Sequence, residues 1–138
     1  MYIKALKLFV IIFILFGVNN DGNSQVYQAY QDYKVRKIMS DKITSISNER
    51  LLIAETYMIT GAYPVDDSFS KKFLKKKEFA YNPKNGQITI FISEKDPKGM
   101  SGLIGKNITY TPSYNGNGWL NWTCETTLKK TQAPYPCY

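Results

Sequence analysis

The sequence contains no histidine. That absence excludes histidine-based catalytic triads and histidine metal sites, and the two cysteines by themselves fall short of a structural zinc site. Glycine and proline are missing from residues 26–60, so nothing in that stretch breaks a helix. The only cysteines are Cys124 and Cys137, with Pro134 and Pro136 just before the second. A pair this close to the C-terminus, bracketing a short polar segment, reads as a staple for a tail without a core of its own, the alternative being two unpaired thiols. Closing such a loop contributes roughly 3 kcal/mol and persists only in an oxidising compartment. What the sequence does have is basic charge, 18 Lys+Arg against 11 Asp+Glu for a net +7, and many aromatics, 11 Tyr, 7 Phe and 2 Trp. The charge favours nucleic acid, anionic lipid or an acidic polymer without naming one, and the 138 residues hold one modest core.

Residues 1–24 have the pattern of a secretory signal. Lys4 and Lys7 precede an apolar run from Leu8 to Val18, and Gly22 and Ser24 supply small residues for a cut before Gln25. The run is shorter than the about 20 residues a spanning helix needs, which favours removal over anchoring. Removal would take two lysines and Asp21, leaving a net +6.

Residues 25–138 read as one domain. From about 26 to 60 apolar residues recur at helical intervals, with Val35, Met39, Ile46, Ile53 and Tyr57 on one face and Ile38 and Ile43 beside it. Glu49 and Arg50 interrupt that stripe, Asp32 and Arg36 are spaced to pair on the solvent side, and Gly61 and Pro64 end the helix. Residues 61–77 form a loop closing in the basic run Lys71, Lys72, Lys75, Lys76 and Lys77. Then the texture becomes β: 78–81 and 87–93 flank a turn over 82–86 that contains Asn85-Gly86 and make one hairpin, and 107–112 and 119–126 around the turn 115–118 make another. A half-buried antiparallel sheet covered by the helix follows.

This order of elements resembles the type IV pilins. The residues that carry the resemblance are Ala29-Tyr30-Gln31-Asp32-Tyr33 and Arg36, Ala54-Glu55-Thr56-Tyr57, the stop Thr60-Gly61-Ala62-Tyr63-Pro64, the strand 105–112, and Trp122-Thr123-Cys124 with the proline-rich approach to Cys137. It covers about residues 27–138. The resemblance implies an α+β fold, one long N-terminal helix packed on a four-stranded antiparallel sheet, with a C-terminal loop bounded by Cys124 and Cys137. It also implies an extracytoplasmic, non-enzymatic protein without cofactor, a pilus subunit or pilus-associated soluble head whose partners are other pilins or pilus machinery. In such proteins the loop after the helix and the cysteine-bounded loop are the exposed surfaces, matching 65–77 and 124–137 here. The prepilin motif is absent: the junction of glycine and phenylalanine would fall near Lys7 and Leu8, and its following glutamate near Ile11. Ordinary filament assembly is therefore not what this N-terminus predicts.

Three functional readings follow. The first is structural and adhesive work at a pilus, including contact with a host or surface ligand. The second is binding of DNA or another polyanion by Lys71, Lys72, Lys75, Lys76 and Lys77 beside Phe73 and Phe79, with Lys129 and Lys130 in the tail; against it, these lysines suit a solvated loop. The third is catalysis by Asp66-Asp67 or Glu94 with Asp96, for which loop surface charge is the better account. Asn107-Ile108-Thr109 and Asn121-Trp122-Thr123 match the glycosylation sequon, but both fall in predicted strands. Trp119 and Trp122 are of a type that stacks on sugars, although strand tryptophans usually pack under a helix.

Overall fold

A computed structural model describes residues 21–65, 78–96 and 100–137. The chain divides into two compact units, Met1–Gln31 and Asp32–Tyr138. The described part of the first, from residue 21, is helical. The second holds the sheet, the tail and the core.

The expected helical stretch is present as α1 (Asp21–Ser45) and α2 (Ser47–Thr60), divided at Ile46. Thr44 Oγ1 donates to the Ser40 carbonyl at 3.0 Å and Ser45 Oγ to that of Lys42 at 2.7 Å. Hydroxyls that compete for backbone acceptors in this way loosen a helix locally. The division leaves Ile46 buried, so the apolar ridge of Val35, Met39, Ile46 and Ile53 is continuous, with Ile38, Ile43 and Tyr57 packed at its margins. Gly61 ends α2 in the left-handed conformation, its N–H donating to Tyr57 O at 2.8 Å, as the sequence predicts.

The sheet is an antiparallel meander, β1 (Phe79–Asn82), β2 (Gln87–Phe91), β3 (Asn107–Tyr114) and β4 (Leu120–Thr126), in that spatial order. Its pleat sends Phe79, Ile88, Ile90, Ile108, Tyr110 and Leu120 into the core with the helical ridge. On the other face Gln87 Nε2 donates to Thr111 Oγ1 at 3.0 Å, and Thr89 and Thr109 hydroxyls lie 3.4 Å apart. One apolar and one polar face is the pattern of an antiparallel sheet covered on one side. The first hairpin closes through residues 83–86 with Asn82 opposite Gln87. Gly86 is required twice over: its φ is +69°, and an added Cβ would come within 2.5 Å of the Tyr63 ring and 2.8 Å of Pro112.

After β4 the tail turns back, and Cys124 and Cys137 are joined as a disulfide with their Cα atoms 4.9 Å apart. Cys137 is buried in the core cluster, where Tyr110 Oη, 3.6 Å from its sulfur, is placed to donate to it. Cys124 stands opposite Tyr110 in the sheet register. The bridge therefore fastens the tail to a residue row that already lines the core. Replacing Cys124 with Ser should lower the melting temperature by on the order of 10 °C, from a loss of roughly 3 kcal/mol. Circular dichroism should still report the sheet, while residues 125–137 become protease-sensitive; an unchanged melt would show the bridge to be idle.

Candidate functional site

The tail is held at both ends. At its far end is the disulfide; in its middle, residues 129–133 form a tight turn in which Gln132 N and Ala133 N both donate to Lys129 O, at 2.9 and 3.0 Å. Asp32 of α1 receives that turn, accepting from Thr131 Oγ1 at 2.6 Å and from Gln132 Nε2 at 2.9 Å. Arg36 adds a donation from its guanidinium to the Thr131 carbonyl. The expectation that Asp32 lies on the solvent side is thus corrected: Asp32 and Gln132 are both buried. A carboxylate can be taken out of water there because polar donors reach each of its oxygens.

Lys129 and Lys130 are exposed on this turn. Their proposed companions Lys71, Lys72, Lys75, Lys76 and Lys77 lie outside the described residues, as do Phe73, Asp66 and Asp67. Phe79 faces the core and offers no ring to a ligand.

Asp96 and Glu94 part company. Glu94 is exposed, whereas Asp96 turns inward to Lys42, Oδ2 to Nζ 2.7 Å, and also accepts from Ser93 N at 2.7 Å. Lys42 is buried, donates to Phe91 O at 2.9 Å, and lies 3.4 Å from Glu78 Oε2. All of these partners belong to the two ends of the first hairpin, so Lys42 ties α1 to the start of β1 and the exit of β2. The periodicity of the helix places apolar residues correctly but does not reveal this lysine, whose partners Glu78, Phe91 and Asp96 lie far along the chain, the last two at 49 and 54 positions.

Arg50 resolves the interruption in the stripe. Its guanidinium carbon sits 4.6 Å from the Tyr110 ring centre and 5.0 Å from that of Trp122, a cation–π arrangement that lets a charged side chain occupy the edge of an apolar interface. Burial lowers the Arg50 pKa, opposed by Tyr110. The expectation that strand tryptophans pack beneath the helix holds for Trp122. It fails for Trp119, which lies before β4 begins and is 77% exposed.

Where α2 ends, aromatic rings gather. Tyr57 is 4.7 Å from Tyr63 and 5.9 Å from Tyr114, centre to centre. Tyr81 donates its hydroxyl proton to Pro64 O at 3.0 Å. Burial raises the pKa of Tyr63, and raises that of Tyr81 to about 12, neighbouring tyrosines adding to both. Burial also raises Tyr110, against the pull of Arg50. Among the described residues no group of three acidic or cysteine side chains is arranged to hold a metal ion. No helix among them is long and apolar enough to cross a membrane.

The tyrosines carry a pH signature. A folded-state pKa above the unfolded value of about 10 means the native state holds its proton more tightly. The associated stability is complete below pH 10 and is lost as pH rises toward about 12, the value for Tyr81. Melting temperature should fall through that window, and Tyr81→Phe should flatten the fall. A melt independent of pH between 10 and 12 would contradict the burial of these hydroxyls.

Comparison with known proteins adds one finding of weight. A family model described as pilin, a bacterial filament protein, matches residues 36–138. Neither curated proteins nor solved structures gave a significant match. The matched stretch begins within α1 and takes in α2, all four strands and the disulfide-closed tail. The family is structural rather than catalytic. Matched over well over half of its length, with helix, meander and stapled tail in that order, the chain belongs to the pilin family of bacterial filament proteins.

Proposed function

We propose that this pilin-family protein is exported and does structural and adhesive work at a type IV pilus, as a subunit or as a pilus-associated head made of residues 25–138. The observation that carries the proposal is the double fastening of the tail, by the disulfide and by Asp32. A surface meant to meet partners outside the cell needs a fixed shape without depending on a large core, and a covalent closure achieves that in an oxidising compartment. The pattern of residues 1–24, basic then apolar then small, supports export. Partners would be other pilins and the assembly machinery. The polyanion reading draws less support, since Phe79, one of its two stacking rings, is buried in the core.

The test is intact mass and N-terminal sequence of the native protein in sheared-filament, membrane, medium and cytosolic fractions. The proposal expects an oxidised chain outside the cytosol. A start at Gln25 in soluble material identifies the head, and recovery in sheared filaments identifies the subunit. Reduced protein confined to the cytosol would overturn the proposal.

A further inference from the structure

We infer that copies of this chain associate with one another by seating Trp119 of one copy in a cavity of the next. The cavity, of about 450 Å³, lies at the end of the sheet where β2 leaves and β3 begins. Small organic groups bind in spaces of about 300–1,000 Å³, so an indole fits. Phe91, Ile92, Ile104 and Gly105 supply its apolar lining. Ile104 is 48% exposed, and a Cβ at Gly105 would meet nothing within 4 Å, so this lining is reached from solvent. Apolar surface held open in this way gains free energy when an apolar group covers it.

The polar part of the lining narrows what the occupant is. Glu94 and Lys95 line the same cavity and are exposed, and their side chains make no hydrogen bond or ion pair among the described residues. An indole carries one polar group, an N–H that donates and cannot accept. The Glu94 carboxylate is an acceptor for it. The Lys95 ammonium suits the indole face, the ring that attracts cations most strongly. Apolar walls, one acceptor and one cation are thus the complement of a tryptophan side chain.

The chain offers such a side chain at its other end. Trp122 is taken up by Arg50, but Trp119 is 77% exposed. It directly follows a turn in which Gly116 and Gly118 take positive φ and Asn117 N donates to Asn115 Oδ1 at 3.2 Å, so it is presented on a held base. β3 separates that turn from the cavity by eight residues, about 27 Å, which no side chain spans. Trp119 therefore fills the cavity of another copy, not its own. Because the projecting group and its receptor occupy opposite ends of the sheet, the contact is heterologous and repeats from copy to copy. The inference deepens the subunit reading of the proposed function and rests on it for its biological setting, whereas the contact is a property of the purified chain.

The experiment is sedimentation velocity of the purified full chain over a dilution series from micromolar to sub-millimolar, in one fixed concentration of a mild detergent that solvates the apolar run Leu8–Val18. The wild-type chain is expected to associate as concentration rises. Trp119→Ala and Ile104→Lys, both at exposed positions, should each weaken association by at least about thirtyfold, as loss of a central anchor does, with circular dichroism unchanged. Tyr135→Ala, which removes another highly exposed ring, should associate as the wild type does. Mixing the two weakened variants should restore a heterodimer, since Ile104→Lys still carries Trp119 and Trp119→Ala still carries the cavity. A wild-type chain that stays monomeric across the series overturns the inference. So does wild-type association by either weakened variant, failure of their mixture to associate, or association lost in Tyr135→Ala. None of these results bears on where the native protein fractionates, so this inference can fail while the pilin proposal stands.

Discussion

The folded unit Asp32–Tyr138 depends on one constraint: the inner side of the α1–α2 run must bury Val35, Met39, Ile46 and Ile53 against a single apolar sheet face. A chain of this size makes one core, so every other element has to be attached to that interface or left in water. Three charged residues on the helices do the attaching. Asp32 receives the tail turn, Lys42 receives both ends of the first hairpin, and Arg50 lies over the rings of Tyr110 and Trp122. Each is spaced along the helices to meet a different segment. Together they turn a hydrophobic seam, which by itself specifies burial but not orientation, into a defined register of helix on sheet.

These attachments differ in what they cost and what they fix. Lys42 and Asp96 are both largely withdrawn from water, and replacing such a pair with well-packed apolar groups is often neutral, while breaking it by removing one partner is severe. Their value lies in specifying position, since Phe91 O and Glu78 also converge on the same ammonium. Arg50 reaches a similar end without an ion pair of that kind, through ring faces. The tail has almost no core of its own beyond Leu128, Ala133 and Cys137, and is fixed by the disulfide together with Asp32. A loop so fastened is tied at two points, by a covalent bond and by hydrogen bonds to α1.

Much of this was legible in the sequence, for reasons that can be named. The ridge residues were readable because helical periodicity and burial coincide at Val35, Met39, Ile46 and Ile53. Gly61 and Gly86 are readable because positive φ at a helix end or hairpin is a local demand, and the first hairpin closes through 83–86, inside the turn the sequence marks over 82–86. The division at Ile46 is not legible in the sequence because no glycine or proline marks it; what accompanies it are hydroxyl bonds from Thr44 and Ser45 to backbone carbonyls. Asp32 was misplaced because the (i, i+4) spacing to Arg36 is a local cue, and its actual partners, Thr131 and Gln132, are set by tertiary structure. Residue type and alternation make Trp119 and Trp122 alike as strand residues, yet β4 starts one position after Trp119 and leaves it in water.

If the three charged attachments set the register of helix on sheet, then removing the central one should be felt locally and strongly. The direct measurement is denaturant unfolding combined with amide hydrogen exchange on Lys42→Met, which keeps the length of the side chain but discards its charge. The account predicts a loss of about 3 kcal/mol, of the size seen when one partner of a buried pair is removed, with faster exchange concentrated around residues 91–96 and 104–106 and the β3–β4 pairing retained. Unchanged stability and an unchanged exchange pattern would contradict it, and would mean that the apolar ridge alone positions the helix.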